Sequence, residues 1–163
     1  MAAASQSLRF WRLERDRHVV TWEKGIGAER AGGRWNSPGR PAVYGSLDAA
    51  TAILEVAVHK GFATLDTDPH TLLCIEIPDP TCIHWVDAET LPNPNWLVPG
   101  TPSAGQQRYG DALLEAHPFF VVPSTVSRHS ANLVMNPHAA QGKYQVVLQE
   151  RFSLDTRLNP PPR

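Results

Sequence analysis

Residues 32–59 read GGRWNSPGRPAVYGSLDAATAILEVAVH, and the rest of the chain is arranged around this stretch. Gly32 and Gly33 have no Cβ, so the backbone can turn sharply there or approach a ligand closely. Arg34 follows directly, and its planar guanidinium suits a phosphate or carboxylate held in a cleft. The stretch therefore predicts a turn that brings a cation to a binding site.

A short strand and a helix follow this turn. Residues 41–45 have the β-branched and aromatic content of a strand, which places Tyr44 at a strand end. Residues 48–60 have helical periodicity and an almost wholly apolar surface, and Ser46 or Asp48 can cap the helix.

Glu55 interrupts the apolar surface of this helix. A carboxylate in such surroundings is costly to bury unless it is paired or hydrogen-bonded. An ion pair with Arg34 or Arg40 would supply a partner, and exposure on the polar side of the helix would remove the need for one. A catalytic role is the third alternative, because active sites also place acids in such positions.

The remaining segments predict an α+β domain, a compact mixed sheet of short strands with a few helices. Further strands are expected at residues 8–13, 71–77, 81–86, 119–127, 132–137 and 144–153, a second main helix at 103–116, and connections without regular structure at 61–69 and 91–102. We expect one domain over residues 1–158 and a flexible tail over 159–163.

Composition excludes several classes of function. The 163 residues are 42% apolar and 19% charged, and the net charge of -1 gives no electrostatic reason to expect a nucleic-acid or membrane partner. No apolar run is long enough to span a bilayer, and the N-terminus lacks the features of a signal peptide, so we expect a cytoplasmic protein. Cys74 and Cys82 match neither a zinc spacing nor a disulfide framework and are expected to be buried, reduced thiols.

Motifs for metal and nucleotide chemistry are missing from the sequence. The seven histidines have no spacing typical of metal ligands, so no metal site is predicted. There is no Gly-x-Gly-x-x-Gly after a strand and no Walker loop. A triad built on Ser124 stays open, although no nucleophile-elbow motif supports it.

Structural roles compete with functional ones for several residues. Tyr44 could be half-buried in the core with its hydroxyl in water, and Ser124 could be a turn residue that binds its own backbone. Trp35 and Asn36 are expected to be structural, because a loop beside two glycines needs packing and local hydrogen bonds.

Taken in order, the motifs of this chain resemble those of the RES domain family, named for an Arg, a Glu and a Ser that fall here on Arg34, Glu55 and Ser124. The resemblance covers nearly the whole chain. It rests on Phe10-Trp11-Arg12, Gly33-Arg34-Trp35-Asn36-Ser37, Val43-Tyr44, Leu54-Glu55-Val56 with His59, Val122-Pro123-Ser124, Asn132, Asn136-Pro137 and the closing Phe152-x-x-Asp155-x-Arg157-Leu158.

The resemblance implies a bacterial toxin of a type II toxin–antitoxin pair whose partner is an Xre-type antitoxin. It implies a fold similar to the core of ADP-ribosyltransferase toxins, and NAD+ as the substrate without a metal. Family members cleave the nicotinamide–ribose bond of NAD+ as glycohydrolases or phosphorylases, which depletes the cell of NAD+ and arrests growth. The alternatives are a mono-ADP-ribosyltransferase that modifies a protein and, from a different class, a non-catalytic nucleotide- or peptide-binding module.

Roles for single residues follow from this implied chemistry. Glu55 would bind the ribose hydroxyl next to nicotinamide and stabilise the developing cation. Arg34 would grip the diphosphate or fix the ribose, Tyr44 would stack on or position the nicotinamide ring, and Ser124 would bind the nicotinamide amide or orient Glu55. Weaker candidates for contact with NAD+ are Arg12, Ser127 and Asn136.

Two features bear on specificity and partners. The chain departs from the family pattern between Ser124 and Asn136, where it has Arg128 and Ser130-Ala131 in place of Pro and Glu-Trp, so the acceptor that this loop selects stays open. An antitoxin segment with a carboxylate could close the site by pairing with Arg34 or Arg40. Homodimerisation through sheet edges or through the Trp96 loop also stays open.

Overall fold

A seven-stranded mixed sheet organises residues 6–163, the part of the chain that the computed structural model describes. Its strands are β1 (Leu8–Arg15), β2 (Val43–Ser46), β3 (His70–Ile77), β4 (Ile83–Trp85), β5 (Phe119–Pro123), β6 (Ala131–Met135) and β7 (Gln145–Phe152). Its α-helices are α1 (Ile26–Ala31), α2 (Ala49–Lys60), α3 (Phe62–Thr67) and α4 (Ala104–Ala116). The architecture confirms the predicted α+β class.

The order of strands in the sheet is β4-β5-β6-β2-β1-β3-β7. β4 and β5 run parallel, and the other neighbouring pairs are antiparallel. β2 and β6 therefore lie side by side in the middle of the sheet, although they are far apart in the sequence. Their register places Ser46 opposite Asn132.

Alternate side chains along the central strands pack into two separate apolar cores. Phe119 and Val121 of β5 face one core together with Phe10 and Leu73, all nearly or completely buried. The intervening Phe120 and Val122 belong to the second core, which includes Trp35 and Leu114 of α4. Successive side chains of a strand point to opposite faces, so a strand covered on both sides is apolar throughout.

The acid-bearing helix begins where the sequence predicts it. Asp48 is the N-cap of α2, and its carboxylate accepts the Thr51 backbone N–H at 2.8 Å. Such a cap satisfies one of the free donors in the first turn of a helix. Ala52 and Ala57 of α2 are buried, and Ala57 packs against Leu13 of β1, whereas Leu54 remains 37% exposed.

The prediction of an irregular connection over residues 61–69 is wrong, because α3 lies there. Leu65 is buried against Leu13, Ala57 and Leu72, and Phe62 packs against the same cluster, so apolar contacts hold the helix to the sheet. A six-residue helix is too short to show a hydrophobic period in the sequence. Similarly, the expected loop at 91–102 contains a 3₁₀ turn at Pro94–Leu97.

The two cysteines differ in their environment. Cys74 on β3 is buried, as predicted, but Cys82 is only partly buried at the start of β4, which corrects the expectation for that thiol. Both are free. Cys82 lies in a 3₁₀ turn over Pro80–Cys82, where Pro78 and Pro80 delay the start of the expected strand.

A stacked pair of imidazoles lies at the β4 edge of the sheet. The ring centroids of His84 and His117 are 4.2 Å apart. Burial, and then the neighbouring His84, lower the pKa of His117 below its ordinary 6.5. A base whose pKa is lowered by folding binds fewer protons in the folded than in the unfolded state. Protonation of the unfolded chain therefore lowers the free energy of unfolding as the pH falls through 6.5.

We therefore expect acid to destabilise the wild type more than the His117→Asn variant. The comparison is the change in free energy of unfolding between about pH 7.5 and about pH 5.5, measured by urea denaturation. His59→Asn, at an exposed histidine of α2, is the control and should behave as the wild type. An identical loss of stability in His117→Asn and wild type would contradict the expectation.

Within residues 6–163, none of the helices has the length and apolar character needed to cross a bilayer. The N-terminal stretch in which we find no signal-peptide features belongs in large part to residues 1–5, outside the described part of the chain.

Candidate functional site

The turn after Gly32 is held by a buried amide. Asn36 is fully buried, and its side-chain N–H groups donate to the carbonyls of Ala28 and Arg40, both at 2.8 Å. Gly33 donates its N–H to the Asn36 carbonyl at 3.0 Å. A Cβ at Gly33 would lie 2.7 Å from both Asn36 Oδ1 and the Tyr44 hydroxyl, so only glycine fits here. The expectation that Trp35 and Asn36 are structural is confirmed, since Trp35 is also buried.

Tyr44 holds this turn through hydrogen bonds of its hydroxyl group. Its hydroxyl donates to Asn36 Oδ1 at 2.7 Å and accepts the Trp35 backbone N–H at 2.9 Å. Burial raises the pKa of the phenol, so it stays protonated at neutral pH. The alternative of a hydroxyl left in water is therefore wrong. Contact of the Tyr44 ring with a nicotinamide ring stays a prediction.

Arg34 extends from the same turn toward the Pro-rich segment. Its guanidinium donates to the carbonyls of Trp96 at 3.2 Å and Gly100 at 2.7 Å. Burial lowers the pKa of Arg34, and the negative charge of Glu55 acts in the opposite direction. A guanidinium has five N–H donors, so Arg34 keeps donors beyond those given to the two carbonyls. Its predicted grip on a diphosphate would use these remaining donors.

Glu55 of α2 is oriented by two side-chain donors, Ser124 directly after β5 and Asn132 of β6. Its Oε1 accepts the Ser124 hydroxyl at 2.8 Å and the Asn132 amide N–H at 2.6 Å. The predicted ion pairs with Arg34 or Arg40 do not form; Arg40 lies 4.0 Å from Glu115 instead. Glu55 is half-buried rather than exposed to solvent. Its Oε2 has no hydrogen-bond partner within residues 6–163, which leaves that oxygen for a ligand hydroxyl.

Ser124 fills both of the roles that the sequence offers. Its hydroxyl accepts the backbone N–H groups of Val126 at 3.2 Å and Ser127 at 3.0 Å, as a turn residue does. The same hydroxyl donates its hydrogen to Glu55. Because that hydrogen goes to a carboxylate and no histidine contacts it within the described residues, the geometry does not favour a nucleophilic triad.

Asn132 is the residue that sequence reasoning missed as part of the site. Ser46 donates to its Oδ1 at 2.7 Å, which fixes the amide so that its N–H points to Glu55. The available signal was an amide in the otherwise apolar strand β6, since such a group needs partners when it is buried. Its partner Ser46 lies opposite on β2 and could not be identified without the strand register.

Three weaker candidates have different positions. Arg12 donates to Glu14 at 3.0 Å through Nε and to the Tyr44 carbonyl at 2.7 Å, so it ties β1 to β2. Ser127 binds Ser130 through their hydroxyls at 2.9 Å and shapes the turn after Ser124. The structure does not bring Asn136 to Glu55: at the far end of β6, its amide donates to the Leu114 carbonyl at 2.6 Å.

A cleft of about 600 Å³ lies beside Ser124. It is lined by Ala88, Pro94, Leu97, Val98, Pro99, Pro123, Ser124, Thr125 and Arg128. Small-molecule sites have volumes of this order. Ser124 both lines the cleft and donates to Glu55, and Arg34 donates to the Trp96 carbonyl within the segment that supplies Pro94, Leu97, Val98 and Pro99 to the lining, so the cleft adjoins the residues that contact Glu55 and Arg34.

Within the described residues, no group of three or more His, Cys, Asp or Glu side chains could hold a metal ion. The site offers an oriented carboxylate, a guanidinium whose pKa burial lowers and the charge of that carboxylate raises, and hydrogen-bonding hydroxyl and amide groups.

Known proteins resemble this chain over most of its length. It is 39% identical to Toxin Res of Photorhabdus laumondii subsp. laumondii, with 91% of this chain and 95% of the relative covered. It is 34% identical to Toxin Res of Pseudomonas putida, with 82% and 90% covered. Among solved structures, the Mycobacterium tuberculosis MbcT-MbcA toxin–antitoxin complex matches with a TM-score of 0.72, 21% identity and coverage of 91% of this chain and 85% of the other.

The structural match shows a shared fold, because an identity of 21% is too low to carry more. The sequence match is more specific. Residues 9–155 match the family described as the RES domain. The stretch includes Arg34, Glu55 and Ser124 and nearly all of the sheet. The chain belongs to the RES domain family.

Proposed function

We propose that this protein is the toxin of a toxin–antitoxin pair and that it cleaves the nicotinamide–ribose bond of NAD+. The relatives named Toxin Res and the membership in the RES domain family support the role of a toxin. One observation supports the chemistry: two donors hold Glu55 Oε1, while Oε2 has no partner within residues 6–163. A carboxylate held in this way is preorganised to stabilise a positive charge.

The reaction places that positive charge on the ribose. When the N-glycosidic bond breaks, its electron pair goes to the pyridinium nitrogen and nicotinamide leaves as a neutral molecule. The ribose carbon then has oxocarbenium character, as in glycoside hydrolysis. In the proposed complex, Glu55 Oε2 accepts a hydrogen bond from a hydroxyl of this ribose, and its negative charge stabilises the transition state.

Arg34 and Tyr44 have distinct tasks under this proposal. The N–H groups of Arg34 that the loop carbonyls do not use bind the diphosphate of NAD+. Tyr44 holds the turn on which Arg34 lies, through its contacts with Asn36 and Trp35. The cation is thus fixed in place before substrate arrives, which lowers the entropic cost of binding.

The test is to incubate the purified chain with adenylate-labelled NAD+ and to follow free nicotinamide by chromatography. Release of nicotinamide with the label in ADP-ribose identifies a glycohydrolase, and added phosphate that moves the label to ADP-ribose phosphate identifies a phosphorylase. Label on a protein band in lysate identifies a mono-ADP-ribosyltransferase. Unchanged NAD+ in all three conditions would show that the proposed function is wrong.

Asn132→Ala should slow nicotinamide release about ten-fold, chiefly through kcat, because Glu55 loses one of the donors that orient it. The readout that separates positioning from folding is the split between kcat and KM: kcat should fall while KM and the free energy of unfolding in urea stay close to the wild type. Asn95→Ala, on an exposed turn, is the matched control. A wild-type kcat in Asn132→Ala would contradict the role assigned to Asn132.

The partner under this proposal is an Xre-type antitoxin. The solved toxin–antitoxin complex with the same fold supports a protein partner. Arg40 is weakly engaged by Glu115 at 4.0 Å, so a carboxylate of the partner could replace it. Addition of the purified antitoxin should suppress nicotinamide release, and full activity in a stable complex would exclude inhibition at this site.

A further inference from the structure

The cleft beside Ser124 has two chemically different walls. Pro94, Leu97, Val98 and Pro99 form an apolar wall on one side. The other side carries the hydroxyl-bearing residues Ser124 and Thr125 and the cation Arg128. A flat, uncharged ring suits the first wall, and a phosphate or sugar suits the second.

Arg128 forms no ion pair and no side-chain hydrogen bond within residues 6–163, and it is exposed at the cleft. Five arginines are paired with nearby carboxylates: Arg9, Arg12, Arg15, Arg40 and Arg157. Arg128 differs from the other arginines that form no ion pair within residues 6–163, because it lines the cleft. A cation without a partner on the wall of a cleft attracts anions, and the low-dielectric wall opposite strengthens that field.

The cleft is linked to Glu55 through Ser124. Ser124 lines it and donates to Glu55, and Arg34 binds the carbonyls of Trp96 and Gly100, on either side of the apolar wall segment. A ligand whose ribose reaches Glu55 therefore has a phosphate-binding guanidinium at Arg34 and a second one at Arg128. A dinucleotide carries its phosphates between two nucleosides, so it can extend from the acid into this cleft.

We propose that the cleft is a subsite for the ADP portion of the dinucleotide, with Arg128 paired to a phosphate oxygen and the adenine against the apolar wall. The inference rests on the proposed function for its ligand and adds a residue that determines specificity. It also gives a physical role to Arg128, which lies where the chain departs from the family pattern.

The first test is direct binding of ADP-ribose, measured by calorimetry, which does not require activity. Arg128→Gln should weaken binding roughly ten-fold, since a charge-assisted hydrogen bond to phosphate is lost. Adenosine, which lacks the phosphates, should bind the variant and the wild type equally. Arg151→Gln is the matched control, because Arg151 is exposed on β7 at the opposite edge of the sheet.

The second test uses two substrates with the same scissile bond. Arg128→Gln should lower kcat/KM for NAD+ and leave kcat/KM for nicotinamide riboside, which has no phosphate, unchanged. If the wild type releases no nicotinamide from NAD+, the proposed function fails, and ADP-ribose binding still decides the subsite. Failure of the wild type to bind ADP-ribose, or equal affinity in Arg128→Gln and Arg151→Gln, overturns the subsite even in an active enzyme.

Discussion

The Glu55→Gln variant should release nicotinamide from NAD+ about 10²- to 10³-fold more slowly than the wild type, because the amide cannot neutralise a positive ribose. The substitution keeps the size of the side chain, and Oε1 can still accept from Ser124 and Asn132. The second terminal atom of the side chain changes from a carboxylate oxygen to an uncharged amide nitrogen, which donates hydrogen bonds. Initial rates of nicotinamide release measure the effect.

A fold defect is separated from a chemical one by two controls. Glu150→Gln, at an exposed acid on β7, should keep the wild-type rate. Glu55→Gln should keep the wild-type circular dichroism spectrum and bind ADP, which lacks the ribose next to nicotinamide, with an affinity close to that of the wild type. A Glu55→Gln rate within about two-fold of the wild type would remove the acid from the mechanism.

Gly110→Ala should strongly destabilise the fold, because helix α4 packs directly on the backbone of the turn that carries Arg34. A Cβ at Gly110 would lie 2.0 Å from the Trp35 carbonyl oxygen, and backbone atoms cannot move aside as a flexible side chain can. Overpacking of this kind costs about 1–3 kcal/mol or more. Urea denaturation measures the loss of stability, and the NAD+ assay should show a loss of activity, since the Arg34 turn is displaced.

Gly27→Ala is the matched control in another helix. No atom lies within 4 Å of the position that a Cβ at Gly27 would occupy. Alanine should stabilise α1 there by about 0.4–1 kcal/mol, because it restricts the unfolded chain. Equal stability of the Gly110→Ala and Gly27→Ala variants would show that α4 does not pack closely on Trp35.

Local patterns predict much of this fold. The cap at Asp48, the helix that carries Glu55 and the strand at residues 71–77 follow from capping and periodicity, which depend on neighbours in the sequence. By contrast, α3 is held by Leu65, whose burial depends on the sheet beneath it. A short helix fixed by tertiary contacts leaves no clear local pattern.

The site was predictable in its parts but not in its connections. Resemblance to the RES domain family identified Arg34, Glu55 and Ser124, and the structure joins the last two through a hydrogen bond. Asn132 did not enter the predicted site, because its role depends on the pairing of β6 with β2. The hydrogen bonds from Arg34 to the carbonyls of Trp96 and Gly100 likewise join residues more than 60 positions apart in the sequence, too far for any periodic pattern to indicate them.

Under the proposed function, Arg34, Glu55 and Ser124 form one NAD+ site. A crystal structure of the Glu55→Gln variant soaked with NAD+ tests it most directly, since the slowed reaction preserves the substrate. We predict that a hydroxyl of the nicotinamide ribose lies within hydrogen-bond distance of residue 55 and that the diphosphate contacts the Arg34 guanidinium. A dinucleotide bound away from residue 55, or an empty site at saturating NAD+, would contradict the account.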